Sequence, residues 1–115
     1  MTMSVANAQL KTGHNLYLSQ IKALLEQVFS ARHSEAGFDC AVYLFGSRAT
    51  DQYQDASDFD IGVLASKDIS RELSITRELL EDSTIPVTVD LVDLRAASEE
   101  FARQVQQEGI LLWKS

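Results

Sequence analysis

An apolar run, Cys40 to Phe45, stops at Gly46-Ser47-Arg48. Ten residues separate Ser47 from Asp58-Phe59-Asp60, which heads a second β-forming run. This order of strand, tight turn, loop and carboxylate-headed strand constrains the chain more than any other stretch. A Gly-Ser turn at the end of a strand can point backbone N–H groups outward, and such a turn leading into a helix suits a phosphate group. On an extended chain, Asp58 and Asp60 share one face and Phe59 takes the other. Two carboxylates so close repel unless a cation or a shared proton lies between them. A magnesium ion with a nucleoside triphosphate satisfies the turn and the carboxylates together.

With 115 residues, one domain is expected, and 45% hydrophobic content supplies a core. The net charge of −7 argues against tracking a nucleic-acid backbone. No apolar run is long enough to span a membrane, and residues 1–13 lack the apolar stretch of a signal peptide. Cys40 is the single cysteine, so no internal disulfide is possible, and a reducing cytoplasm is the expected compartment. Cys40 reads as a small buried residue at a strand start.

Residues 1–14 are weakly patterned and read as a loose lead-in to a domain over residues 15–115. His14, with no other metal ligand near it, reads as a solvated histidine. From Asn15, a plausible N-cap, the apolar residues Leu18, Ile21, Leu24, Leu25 and Val28 follow a helical period. Strands are expected over Cys40–Phe45, Phe59–Ala65 and Val87–Val92, with a helical turn after Gly46. In the second strand, Gly62 falls on the carboxylate face and leaves space for a close ligand, or else merely weakens the strand. A second helix is expected over Ser70–Asp82, with Ser70 as cap and Leu73, Ile75, Leu79 and Leu80 inward. Ser98 caps a third helix running to about Gln107, and Ile110–Trp113 reads as an edge strand. The alternation gives an α/β or α+β domain with a small sheet.

Asp90 interrupts the third strand at its middle, where a charge needs a partner or a purpose. It is either salt-bridged to an arginine or the third carboxylate of a site that assists transfer to an attacking hydroxyl. Arg48 is either a surface arginine or a phosphate contact. It is the one cation near a loop that carries four aspartates and no lysine or arginine between Asp51 and Asp60. Asp93 reads as a cap, Ser57 as a residue that orients the loop, and Tyr43 and Tyr53 as packing residues.

Phe45-Gly46-Ser47-Arg48-Ala49, then Ser57-Asp58-Phe59-Asp60-Ile61, then Val89-Asp90-Leu91-Val92 resembles the minimal nucleotidyltransferases of the DNA polymerase beta superfamily. The resemblance covers roughly residues 15–113. It implies a nucleotidyltransferase fold with a mixed sheet flanked by helices. It places Gly46 and Ser47 against the phosphates of ATP, Asp58 and Asp60 on Mg²⁺, and Asp90 as third carboxylate of the catalytic and metal set. It also implies a HEPN-type helical partner, a toxin that such an antitoxin silences by moving AMP from ATP to a tyrosine hydroxyl. These 115 residues leave no room for the helical domain that two-domain relatives carry, so a partner is expected to bring the acceptor. One departure stands out: Thr50 and Asp51 occupy positions where the family often has a basic residue and a glycine. A small-molecule acceptor such as an aminoglycoside, and a non-catalytic antitoxin that acts by covering its target, remain open.

Overall fold

A computed structural model describes residues 2–115, with side chains from residue 13 onward. The elements are helix α1 (Thr2–Phe29), strand β1 (Cys40–Phe45), strand β2 (Phe59–Ala65), helix α2 (Ser70–Glu81), strand β3 (Val89–Asp93), helix α3 (Glu99–Glu108) and strand β4 (Ile110–Lys114). Short 3₁₀ turns follow α1 (Ser30–Arg32) and β1 (Gly46–Ala49).

The sheet has the order β3-β2-β1-β4. β1 is antiparallel to both β2 and β4, whereas β2 and β3 run parallel. The parallel pair requires a crossover, which α2 supplies. Strand alternation then decides the layers. Cys40, Val42 and Leu44 from β1 pack with Phe59, Ile61 and Val63 from β2 against Ile21, Leu25 and Phe29 of α1 and Leu73 of α2. The opposite residues Tyr43, Phe45, Leu64 and Val92 pack against Leu94 and against Phe101, Ala102 and Val105 around α3. Completely burying one such apolar side chain is worth about 1.5–3 kcal/mol. The sheet is thus fixed from both sides, and α3 covers only part of its second face.

The mixed α/β architecture matches the expectation, and Ser98 caps α3 by accepting from the Phe101 N–H at 3.1 Å. Several local expectations are corrected. The helix does not begin at Asn15; Gly13 and His14 are already helical. Glycine costs about 1 kcal/mol there, and the burial of His14 and its neighbours Tyr17 and Leu18 offsets it. The side chains of residues 1–12, where most of the loose lead-in was expected, lie outside the described residues. Ser70 does not cap α2; Asp68 Oδ1 accepts from the Ser70 N–H at 3.1 Å and from its hydroxyl at 2.6 Å. In α2, Ile75 is exposed and Thr76 is buried in its place, with its hydroxyl satisfied by the Glu72 carbonyl at 2.7 Å. Cys40 is buried, and burial pushes its thiol up to about 12, which keeps it unreactive.

Candidate active site

The carboxylates are gathered by strand register. Phe45 of β1, Asp60 of β2 and Asp90 of β3 form one row across the sheet. Neighbouring strands lie about 4.8 Å apart, so the parallel pairing of β2 with β3 sets Asp60 and Asp90 side by side. Phe59, Ile61 and Leu91 enter the core, which turns both aspartates to the α3 side of the sheet. Asp58 lies two residues before Asp60, ahead of β2, and is exposed. Burial raises the Asp60 carboxyl above its ordinary range, and the charges of Asp90 and then Asp58 push it further the same way. Among the described residues, no lysine or arginine forms an ion pair with any of the three.

Gly46 completes the row. Its φ of 71° is left-handed, and a methyl group there would overlap Asp60 Oδ2. The turn therefore needs glycine twice, for its backbone angle and for the approach of the carboxylate. Gly46 and Ser47 are exposed, and they open the 3₁₀ turn that follows β1. The first N–H groups of such a turn have no acceptor within it. The turn and the carboxylates thus lie at one end of the sheet, with Gly46 against Asp60.

The donor set suits a divalent cation that arrives with phosphates. Among the described residues, no three acidic, histidine or cysteine side chains are already drawn into a cluster able to hold a metal alone. The expected three-carboxylate set is an open one. Magnesium is commonly held by one or two carboxylates with substrate phosphates completing its shell, not by an all-protein cage.

Two expectations about this region are corrected. The space over Gly62 is not left for a ligand: a methyl group there would meet Leu94 Cδ1 at 2.9 Å, so the glycine admits Leu94. Arg48 is not a surface arginine. It is 3% exposed, and its guanidinium donates to the Ser57 carbonyl from Nε at 3.1 Å and from Nη2 at 3.0 Å. Nη2 also donates to the Asp55 carbonyl at 3.0 Å. The guanidinium lies 4.3 Å from the Phe59 ring centroid and 4.8 Å from that of Tyr53. An arginine so engaged inside the loop has little left for a triphosphate.

His14, expected in solvent, is also part of this cluster. It is buried, stacks on Tyr53 and Phe59, and its Nδ1 lies 3.3 Å from Arg48 Nη1. Sequence order hid it, because His14 and Arg48 meet only when α1 folds across the loop. Desolvation, and then the Arg48 charge, hold the imidazole below its ordinary value of 6.5. The folded state therefore binds the proton less readily than the unfolded state. This contribution to stability is complete above that value and is lost as pH falls through the folded pKa. Between about pH 7.5 and pH 5.5 the wild-type melting temperature is expected to fall several degrees further than that of His14→Gln, as measured by scanning fluorimetry. Parallel curves would show that His14 takes up its proton as readily in the folded state as in the unfolded.

The chain also has relatives among known proteins. The chain is 41% identical over 75 residues to Protein adenylyltransferase MntA of Shewanella oneidensis, a match that takes in 63% of this chain and 52% of the relative. The chain thus spans about half the length of that relative. A crystal structure of a toxin–antitoxin with AMP-PNP superposes with a TM-score of 0.59 at 29% identity, covering 79% of this chain and 71% of the other. A mutant of the toxin–antitoxin MntA–HpeT superposes with a TM-score of 0.51 at 34% identity, covering 76% and 67%. Residues 40–115, which hold the Gly46 turn and all three aspartates, match the family Polbeta, described as polymerase beta, nucleotidyltransferase, and the chain belongs to that family.

Proposed function

We propose that the protein is a nucleotidyltransferase antitoxin that moves AMP from ATP to a hydroxyl of a partner toxin, breaking the bond between the α- and β-phosphates and releasing pyrophosphate, with magnesium as cofactor. The observation that carries this reading is the row of Asp60 and Asp90 beside the Gly46 turn, where burial, and then the charges of Asp90 and Asp58, raise the Asp60 carboxyl above its ordinary range. Asp58 and Asp60 hold the cation. When bound, it neutralises phosphate charge and stabilises the charge that develops during transfer. Gly46 and Ser47 direct backbone N–H groups at the outer phosphates. Asp90, on the neighbouring strand, orients the attacking hydroxyl and receives its proton. The relative named as a protein adenylyltransferase, and the toxin–antitoxin structures, support a protein acceptor. A helical toxin of the HEPN type, modified on tyrosine, fits that role.

The enclosure of Arg48 adds a condition. Its guanidinium serves the loop, and residues 51–60 bring four aspartates and no cation. Cationic side chains from the partner would then face the triphosphate, and transfer would require the complex. The same feature supports a second reading, an antitoxin that neutralises its target by covering it.

The test combines the protein, Mg²⁺, an extract of its native host and ATP labelled at the α-phosphate. A γ-labelled control and the Asp58→Asn, Asp60→Asn double variant run beside it. A protein band labelled from the α position only, and absent with the variant, is the expected result. Label recovered only in small molecules would replace the protein acceptor with one such as an aminoglycoside. Neutralisation of the toxin by the double variant would establish the covering mechanism instead.

A further inference from the structure

We propose that Arg48, braced by His14, is a positioning residue that sets the direction in which Asp58 is presented. The proposal rests on the reading of Asp58 and Asp60 as the cation-holding pair. Arg48 Nε and Nη2 both donate to the carbonyl of Ser57, whose carbon is bonded to the backbone nitrogen of Asp58. The guanidinium thus grips the peptide unit that Asp58 belongs to. Behind it, the segment 54–57 is closed on itself: Ser57 N–H donates to the Gln54 carbonyl at 3.0 Å, and Ser57 Oγ accepts from the Gln54 N–H at 2.8 Å. Ahead of it, Phe59 is wholly buried. Asp58 is therefore fixed on both sides while its own side chain remains exposed.

The clamp also joins the two halves of the site. Arg48 follows Ser47 directly, so the residue that holds the carboxylate loop grows from the phosphate-facing turn. A planar fork can serve the Ser57 and Asp55 carbonyls at once, which a single ammonium does not do with the same geometry. His14 stacks on Tyr53 at 4.4 Å between ring centroids and on Phe59 at 5.3 Å, and accepts from Arg48 at Nδ1. Helix α1, distant in sequence, therefore takes part in holding the loop.

The test compares wild type with Arg48→Met and Arg48→Lys in three measurements: amide hydrogen exchange over residues 54–57, affinity for Mn²⁺ alone, and kcat and KM for transfer from ATP in the partner complex. Exchange of the Gln54 and Ser57 amides in Arg48→Met is expected to speed up about tenfold or more. Mn²⁺ affinity and kcat should each fall about 10- to 100-fold, as for residues that orient metal ligands. KM for ATP should change little, and Arg48→Lys should recover part of each loss. If Arg48→Met fails to fold, Arg48→Lys carries the test with the same signs. A folded variant with unchanged exchange and Mn²⁺ affinity overturns the proposal. So does a raised KM for ATP with kcat intact, the signature of a direct phosphate contact. Wild-type protein that neither binds Mn²⁺ nor transfers nucleotide overturns the reading of the site, and the positioning role with it. An active wild type with an unaffected Arg48→Met overturns the positioning role alone.

Discussion

Asp60→Asn is expected to melt higher than the wild type and to transfer nucleotide at least about 1,000-fold more slowly, since a cation's charge stabilisation is worth several kcal/mol in such reactions. The two effects have one origin. Burial, Asp90 and Asp58 raise the Asp60 carboxyl above its ordinary range, so the ionised side chain is less stable in the folded state than in the unfolded. A group raised in this way contributes stability below its unfolded pKa, and the contribution is lost as pH rises through the folded pKa. Near neutral pH the wild type carries the cost of that charge. Asparagine removes it and keeps the shape. The gain should shrink as pH approaches about 4, where the unfolded carboxyl also takes up a proton. Melting curves at several pH values, paired with transfer assays, check both halves. A variant less stable than wild type at neutral pH would mean that the carboxylate is held by a stabilising contact, and would count against a cation role.

Gly46→Ala is the second large effect. A residue with a Cβ at a left-handed φ costs about 1–2 kcal/mol, and Gly46 has a φ of 71°. The added methyl also meets Asp60 Cγ at 3.2 Å, besides overlapping Oδ2. The expected outcome is a drop in melting temperature of roughly 5–10 °C. Transfer should fall about 100-fold, because a displacement near 1 Å at a reacting group costs that much. The two contributions can be separated. Adding Asp60→Ala relieves the overlap but not the backbone strain, so the two changes should be less than additive in stability. Wild-type transfer by Gly46→Ala would show that the approach of turn to carboxylate is irrelevant to the chemistry.

The elements were legible in the sequence because local periodicity encodes them. Ser98 caps α3 by a bond to a residue three positions on, which a short window contains. The adjacency of Asp60 and Asp90 was legible only as a condition. Periodicity places each on a strand face, but the parallel pairing of β2 with β3 is a property of the whole sheet. Arg48 shows where the argument from sequence ends. In a polar stretch an arginine reads as exposed. Its burial depends on carbonyls seven and nine residues away, on the ring of Phe59 and on His14, 34 residues earlier. Gly62 is similar: its empty face looks like room for a ligand until Leu94 returns over it. In each case the missing information was which distant residue arrives, not what the local chain prefers.

The sheet order carries a consequence for how the chain is made. Strand β1 lies between β2 and β4, so its second edge is closed by Ile110–Lys114, some 70 residues downstream. The turn, the three aspartates and strands β1 to β3 leave the ribosome earlier, between residues 40 and 93. Contacts so distant in sequence are slow to close, and until β4 docks the open edge of β1 can template pairing with another chain. During synthesis, the carboxylate row can therefore be assembled while the sheet is still exposed at the side opposite β3. Of these four strands the one made last is the one that covers the β1 edge, and the short β4, ending at Lys114, then forms the sheet's edge in its place.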